Sequence, residues 1–205
     1  MLLADIGNSR VHIYNGKDVI HLSHREAIAQ YGNRDVKYIS VKHQLKERLS
    51  SLDNWEDISS LIKIENEYET MGIDRKALCL SHRDGIFVSV GSAITVDVVE
   101  DGVYQGGFIL LGLKAYLEAY SSISPALKVE LNQEVSLEEL PTTTKDAISF
   151  GIIASIKTLI EQHRLDKQLY ILGGDGEFLS QFFRDSIFDE TLIFQGMRVA
   201  LQRNR

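Results

Sequence analysis

The sequence predicts an α/β fold made of two lobes with similar topology. The prediction depends on one pattern that occurs twice, in which three apolar strands joined by short turns precede alternating helices and strands. The second copy begins at Gly85, and in each copy a turn of small residues follows the first strand. The two copies share negligible identity, so only the pattern is repeated. We therefore expect one lobe over residues 1–83 and another over residues 84–205.

The first lobe opens on a hairpin whose first strand carries a single acid. Residues 2–6 are apolar apart from Asp5, residues 7–9 form a tight Gly-Asn-Ser turn, and residues 10–14 form the second strand. The pair Asn15-Gly16 readily closes such a hairpin. The other elements expected in this lobe are strands at 19–22, 36–41 and 61–64, and helices at 25–31, 44–52 and 72–79.

The second lobe repeats this opening. Strands at 86–90 and 94–99 flank the turn Gly91-Ser92-Ala93, and Asp101-Gly102 leads into a third strand at 103–110. Thr143 or Thr144 is expected to cap a long helix with an apolar stripe, which is either core or a dimer interface. The remaining elements expected are helices at 113–121, 177–184 and 197–202, and strands at 169–172 and 192–194.

Composition and charge exclude several classes of protein. The formal net charge of −7 and the absence of a basic cluster argue against a nucleic-acid partner. No apolar run approaches the ~18 residues of a membrane span, and the chain enters a strand directly, so we expect neither a membrane segment nor a signal peptide. A single cysteine, Cys79, fits a reducing compartment. We therefore expect a cytoplasmic protein.

The first hairpin has the residues of a polyanion site. Backbone N–H groups of the 7–9 turn would face phosphates, while Asp5 would hold a metal ion that offsets their charge. The alternative is an ordinary hairpin in which Asp5 binds the amides of the turn, and this stretch alone does not distinguish the two possibilities. Two such turns aimed at one ligand would suit phosphoryl transfer, although a Walker A motif is absent.

Six short motifs occur in order along the chain. They are Asp-x-Gly-Asn-Ser at 5–9, Gly-x-Asp-Arg at 72–75, Gly-Ser-Ala-x-Thr-x-Asp at 91–97, Tyr-x-Gly-Gly-x-Ile at 104–109, Thr-Lys-Asp-Ala-Ile-Ser-Phe-Gly at 144–151 and Leu-Gly-Gly-Asp at 172–175. Each motif is weak alone, but their order and spacing resemble the type III pantothenate kinases. That family belongs to the actin-like (sugar kinase/Hsp70) ATPase superfamily, so the resemblance implies two RNase H-like lobes.

The resemblance implies a kinase that uses ATP to phosphorylate pantothenate to 4'-phosphopantothenate, the first step of coenzyme A biosynthesis. Asp5 would organise Mg²⁺ through the phosphates or water, and Ser92, where the family usually has threonine, would contact ATP from the second lobe. The residues expected to bind ATP are Asp5, Ile6, Gly7, Asn8, Ser9, Arg10, Val11, His12 and Ser92.

The resemblance also places pantothenate on the Gly-x-Asp-Arg motif. Asp74 would accept the proton of the primary alcohol, for which an ordinary carboxylate suffices, and Arg75 would face the carboxylate of pantothenate. From the residues alone, Asp74 could merely cap a helix and Arg75 could lie on the surface. The residues expected to bind pantothenate are Tyr68, Gly72, Ile73, Asp74, Arg75 and Thr144.

Two features depart from the family pattern. Ser89 replaces the usual aspartate that binds an activating monovalent cation, so we expect weak dependence on K⁺ or NH₄⁺. Leu111-Gly112 stands where Pro-Gly is usual. Family members are homodimers, so we expect a homodimer here. The alternatives are another small-molecule kinase or phosphohydrolase of the superfamily, or a nucleotide-binding regulator that has lost turnover.

Overall fold

The computed structural model describes residues 1–42 and 45–204, apart from the side chains of residues 46 and 47. Its chain divides into two compact units, the first comprising residues 1–83, 99–105 and 190–205 and the second residues 84–98 and 106–189. The division into functional lobes at residue 83 stays a prediction. It differs from the compact units mainly at the C-terminal segment, because residues 190–205 belong to the first unit.

Ten strands and seven helices occur in the described part of the chain. In order they are β1 (Leu2–Ile6), β2 (Val11–Tyr14), β3 (Val19–Leu22), α1 (His24–Tyr31), β4 (Val36–Ser40), α2 (Lys46–Ser50), β5 (Trp55–Asp57), α3 (Ile73–Cys79), β6 (Gly85–Val90), β7 (Ala93–Glu100), β8 (Val103–Leu111), α4 (Leu113–Ile123), α5 (Thr144–Arg164), β9 (Leu169–Leu172), α6 (Gly176–Ser180), β10 (Ser186–Phe188) and α7 (Leu192–Arg203). Short 3-10 turns lie at Ser59–Leu61 and Pro125–Leu127. Within the described ranges, no helix is both long and apolar enough to cross a membrane.

The strands form two five-stranded sheets with the same strand order. The first sheet runs β3-β2-β1-β4-β5 and the second β8-β7-β6-β9-β10, so in both the first strand lies at the centre. In the first sheet β1 is antiparallel to β2 and parallel to β4, and in the second β6 is parallel to β9. The predicted α/β fold with two copies of one topology is therefore confirmed.

Each unit has its own hydrophobic core. The first is built on β1, whose five residues are all buried, and includes Tyr38 and Trp55. The second contains the isoleucines of the α5 stripe, among them Ile152 and Ile156, so this half of the stripe is core. The residues on its other edge, Ala147, Ser155 and Leu159, are exposed.

The structure corrects several predicted elements. The apolar residues 192–194 are the first turn of α7 rather than a strand, because the buried residues of that segment recur at helical spacing: Leu192, Ile193, Gly196, Met197 and Ala200. The last strand is instead β10, a short segment in which Ile187 is exposed. The predicted strand at 61–64 is wrong, and the fifth strand of the first sheet lies earlier, at β5. The predicted start of a helix at Gln44 lies outside the described residues.

Candidate active site

The carboxylate of Asp5 is buried in the first sheet. Asp5 lies opposite His12 on β2 and Ile39 on β4, and only 7% of it is exposed. Its Oδ1 atom has no hydrogen-bond partner among the described residues. Burial, followed by the negative charge of Asp74, raises the pKa of Asp5 from 3.8 to about 7. A buried, unsatisfied carboxylate oxygen next to a second acid is suited to a cation, which would stabilise both charges.

The turn after Asp5 is held by side chains that bind its carbonyl groups. Gly7 N donates to Arg10 O at 2.9 Å, which closes the turn. His24 Nε2 donates to Gly7 O at 2.9 Å, and Lys42 Nζ donates to Asn8 O at 2.8 Å. The amide of Gly7 is therefore used by the turn, and Asp5 Oδ1 binds none of the turn amides.

The remaining residues of the predicted ATP hairpin divide into two groups. Asn8, Ser9 and Arg10 are exposed, so their side chains can reach a ligand. Ile6 and Val11 are 0% and 3% exposed, and their side chains pack in the core of the first unit. These two residues can offer only backbone groups to a nucleotide.

His12 is linked to two groups that the sequence analysis missed. His12 Nδ1 lies 2.6 Å from His21 Nδ1, its partner across the β2–β3 pair, and His21 Nε2 lies 3.2 Å from Glu190 Oε1. Burial, then His21 and Arg10, lowers the pKa of His12 from 6.5 to about 4, so its imidazole is neutral at pH 7.

The start of α3 brings Asp74 toward Asp5. Asp74 stands in the first turn of α3, after the N-cap residue Gly72, and its Oδ1 accepts from Arg75 N at 2.9 Å. A Cβ atom at Gly72 would lie 2.6 Å from that same Oδ1. The motif therefore needs glycine at its first position, because any side chain there would push the carboxylate of Asp74 aside. From this position the negative charge of Asp74 contributes to the raised pKa of Asp5.

Arg75 is buried, and the alternative that places it on the surface is wrong. It is 6% exposed, its Nη1 donates to the Tyr68 hydroxyl at 2.5 Å, and its Nη2 donates to the Tyr104 hydroxyl at 3.3 Å. The guanidinium carbon also lies 5.8 Å from the centre of the Tyr68 ring. A buried cation held by two phenols is a recognisable subsite for an anionic group.

Three predicted site residues lie in the second unit. Ser92 is exposed in the turn between β6 and β7, where Gly112 N donates to its carbonyl oxygen at 3.2 Å. Ser89 is a partly buried residue of β6, paired with Leu172 of β9. Thr144 is exposed and begins α5, and Thr143 is the N-cap, as predicted for one of the two threonines.

Several residues near the site were not predicted from the sequence, and only some of them had a signal there. His21 could have been found, because the hairpin pairing that connects residues 11–14 with 19–22 places it beside His12. Tyr104 opened a motif of the second lobe, yet it contacts Arg75 in the first unit. Lys42 and Glu190 carried no local signal, since their contacts join distant parts of the chain.

The donor set suits a cation shared between protein and nucleotide. No group of three or more metal-ligating side chains occurs within the described ranges, so the chain does not form a complete metal cage there. Mg²⁺ commonly takes one or two carboxylates and completes its shell with phosphate oxygens and water. The unsatisfied Oδ1 of Asp5 fits that role.

Comparison with known proteins identifies the family. A protein from Sinorhizobium meliloti described as a candidate 2-dehydro-3-deoxygalactonokinase shares the fold at 9% identity, with a TM-score of 0.57 and 98% and 96% of the two chains covered. A conserved Baf family protein from Campylobacter jejuni, described as a proposed transcriptional activator, has a TM-score of 0.89 at 37% identity, with 100% and 98% covered. The type III pantothenate kinase from Campylobacter jejuni is 39% identical over 100% of this chain and 98% of its own length. The family profile of the type III pantothenate kinases matches residues 54–164. The fold is thus shared with both solved structures, and the chain belongs to the type III pantothenate kinase family.

Proposed function

We propose that this protein transfers the γ-phosphoryl group of ATP to the primary hydroxyl of pantothenate, giving 4'-phosphopantothenate and ADP. Family membership supports the reaction class and both substrates. The observation that carries the proposal is that Asp5 and Asp74 interact within one unit, with the buried Arg75 next to Asp74 in sequence. The reaction needs one acid to hold Mg²⁺, a second acid to accept the hydroxyl proton and a cation to bind the carboxylate of pantothenate, and Asp5, Asp74 and Arg75 supply these three groups.

The hairpin is proposed as the nucleotide side of the site. Asp5 would hold Mg²⁺ together with the phosphates, and the bound ion would neutralise the charge that develops during transfer. The exposed turn formed by Asn8 and Ser9 would approach the phosphates, with its carbonyls kept away by His24 and Lys42. From the second unit we propose Ser92 as a further ATP contact.

The start of α3 is proposed as the acceptor side. Asp74 would accept the proton of the attacking hydroxyl from its position in the first turn of α3. Arg75 would bind the carboxylate of pantothenate. Tyr68, Gly72, Ile73 and Thr144 complete the proposed set of acceptor contacts.

Three finer properties are also proposed. Ser89 lacks the charge of the family's usual aspartate, so turnover should depend only weakly on K⁺ or NH₄⁺. We propose a homodimer, as is usual in the family. We also propose a cytoplasmic location, since the single cysteine, Cys79, forms no disulfide.

A regulator without turnover is the second candidate. It is favoured by one observation, namely that the similar Campylobacter jejuni structure is described as a proposed transcriptional activator. The retention of both Asp5 and Asp74 and the net charge of −7 argue against it, because a DNA-binding regulator needs no catalytic acid and benefits from a basic face.

The test is ADP release from Mg·ATP by purified protein, with and without pantothenate, combined with mass spectrometry of the product. Pantothenate-dependent ADP release with formation of 4'-phosphopantothenate is expected. Release of ADP without pantothenate would indicate a hydrolase or a different acceptor. No release while ATP still binds would favour the regulator.

A further inference from the structure

Tyr104 lies at the beginning of β8, in a part of the chain that belongs to the first unit. It is 4% exposed, and its hydroxyl accepts a hydrogen bond from Arg75 Nη2 at 3.3 Å. Tyr68 accepts from Nη1 of the same guanidinium. The two phenol rings lie 6.0 Å apart at an angle of 45°. The guanidinium is therefore held by oxygen atoms from two distant segments of the chain.

The chemistry of the guanidinium fixes the direction of both hydrogen bonds. Arginine has five N–H donors and no acceptor, so both tyrosine oxygens must accept from it. The hydroxyl proton of Tyr68 consequently points away from Arg75. Tyr68 is 41% exposed, so its proton can be donated to a ligand that reaches Arg75.

The backbone of Tyr104 holds the segment that leads to Tyr68. Tyr104 N donates to Glu65 O at 2.9 Å, and Asn66 Nδ2 donates to Tyr104 O at 2.8 Å. The same segment is fixed to α3 by an ion pair of 2.8 Å between Lys76 and Glu67, whose side chains are 13% and 27% exposed. Tyr104 thus contacts the acceptor region twice, once through its hydroxyl and once through its backbone.

We infer that Tyr104 is a positioning residue, which together with Tyr68 holds the Arg75 guanidinium in the orientation needed to bind the carboxylate of the acceptor. The inference rests on the proposed function, because that function supplies the carboxylate. A guanidinium binds a carboxylate best through two parallel N–H bonds, so rotation of its plane weakens the pair even when the charge remains in place.

The test compares Tyr104→Phe with wild type, using Tyr31→Phe as the control, because Tyr31 is another buried tyrosine of the first unit. The Tyr104→Phe substitution keeps the ring and both backbone contacts and removes only the hydroxyl. We expect KM for pantothenate and its calorimetric Kd to rise about 10-fold, the scale of one hydrogen bond to a charged group. KM for ATP and kcat should stay within about twofold, since Arg75 does not act on the phosphoryl group.

A second substrate separates positioning from a general structural effect. In the alcohol analogue of pantothenate, a hydroxymethyl group replaces the carboxylate, so its kcat/KM should be the same for wild type and Tyr104→Phe. An equal loss with both acceptors, or an unchanged affinity for pantothenate, would overturn the inference. Should Tyr104→Phe fail to fold, Asn66→Ala, which removes the hydrogen bond from Asn66 Nδ2 to Tyr104 O, should also raise KM for pantothenate.

The failure of the inference can be told apart from the failure of the proposed function. An active wild type with no change in Tyr104→Phe or Asn66→Ala would overturn only the role of Tyr104. A wild type that neither binds nor phosphorylates pantothenate would overturn both.

Discussion

At the scale of single residues, the site depends on a carboxylate that is costly to bury. Asp5 is almost fully enclosed, its Oδ1 is unsatisfied among the described residues, and the charge of Asp74 adds repulsion. A residue placed there for folding alone would be apolar like its four neighbours on β1. The cost is understandable if Mg²⁺ and phosphates offset it when substrate binds, so stability and function compete at Asp5.

The raised pKa of Asp5 predicts how stability depends on pH. Its folded value of about 7 exceeds the unfolded 3.8, so the folded protein binds the proton more tightly and loses this stabilisation as pH rises through about 7. As pH rises from 5 to 8, the free energy of unfolding of Asp5→Asn should therefore increase by roughly 3 kcal/mol relative to that of wild type, at ~1.36 kcal/mol per pKa unit. Denaturant unfolding of both proteins without ligand measures this difference.

The free energies of unfolding of wild type and Asp5→Asn must be compared at each pH, because His12 changes stability with pH in the direction opposite to Asp5. Its lowered pKa costs stability as pH falls from about 6.5 to about 4, and both proteins carry it. Asp35→Asn, at an exposed position, is the control and should follow wild type at every pH. A constant difference between Asp5→Asn and wild type would contradict the account.

Residue roles could be predicted from the sequence where a motif was local. Gly72, Asp74 and Arg75 are consecutive or nearly so, and the structure explains their spacing through the contact of Gly72 with the Asp74 carboxylate. The partners of these residues could not be predicted, because Tyr104 and Glu190 reach the first unit from later in the chain. The side chains of Tyr104 and Glu190 contact the site residues only once the folded chain brings distant segments together.

At the scale of elements, the turn at residues 7–9, proposed to bind phosphate, is positioned by α1 and by the segment after β4. The capping box of Ser23 and Glu26 fixes the start of α1, which places His24 against Gly7 O. Lys42 follows β4, the parallel neighbour of β1, and reaches Asn8 O. Both donors hold carbonyl oxygens that would otherwise repel phosphate.

Lys42→Ala should raise KM for ATP by roughly 5- to 20-fold, the scale of one charge-assisted hydrogen bond, and leave KM for pantothenate unchanged. Steady-state kinetics with each substrate varied in turn gives both values. Lys17→Ala, at the exposed tip of the other end of the hairpin, should have no effect on either KM. An equal rise in both KM values would show that Lys42 supports the fold generally.

The close contact of α7 with α3 yields a prediction for stability. A Cβ atom at Gly196 would lie 1.7 Å from the carbonyl oxygen of Ala77, so the helices would have to separate. Gly196→Ala should lower the free energy of unfolding by about 1–3 kcal/mol, as overpacking usually does. Gly151→Ala is the control, because its Cβ meets no atom within 4 Å and alanine favours a helix. Equal stability of the two variants would be evidence against this contact.

Elements in which apolar residues recur with a clear helical or strand period can be predicted well from the sequence. Short or fully buried elements cannot. The long α5 and the hairpin strands follow from the sequence pattern, whereas β5 and β10, of three residues each, do not. The apolar run at 192–194 suggests a strand although it begins a helix, since three residues are too few to separate a helical from an extended period.

At the scale of the whole molecule, two sheets share one strand order although their sequences share negligible identity. Hairpins at the start of each copy fix three neighbouring strands, and the later strands add beside the first. This order could be predicted from the pattern. The membership of residues 190–205 in the first unit could not, because it depends on the burial of α7 residues such as Phe194, which stacks on Tyr14.

The most direct test of the central claim is the turnover of Asp74→Asn with Mg·ATP and pantothenate, measured beside wild type and the surface control Asp35→Asn. We expect kcat to fall by ~10²–10⁴, the range for loss of a general base, while ATP binding and the folded state are retained. Asp35→Asn should match wild type. Turnover of Asp74→Asn equal to that of wild type would contradict the assignment of Asp74 as the base.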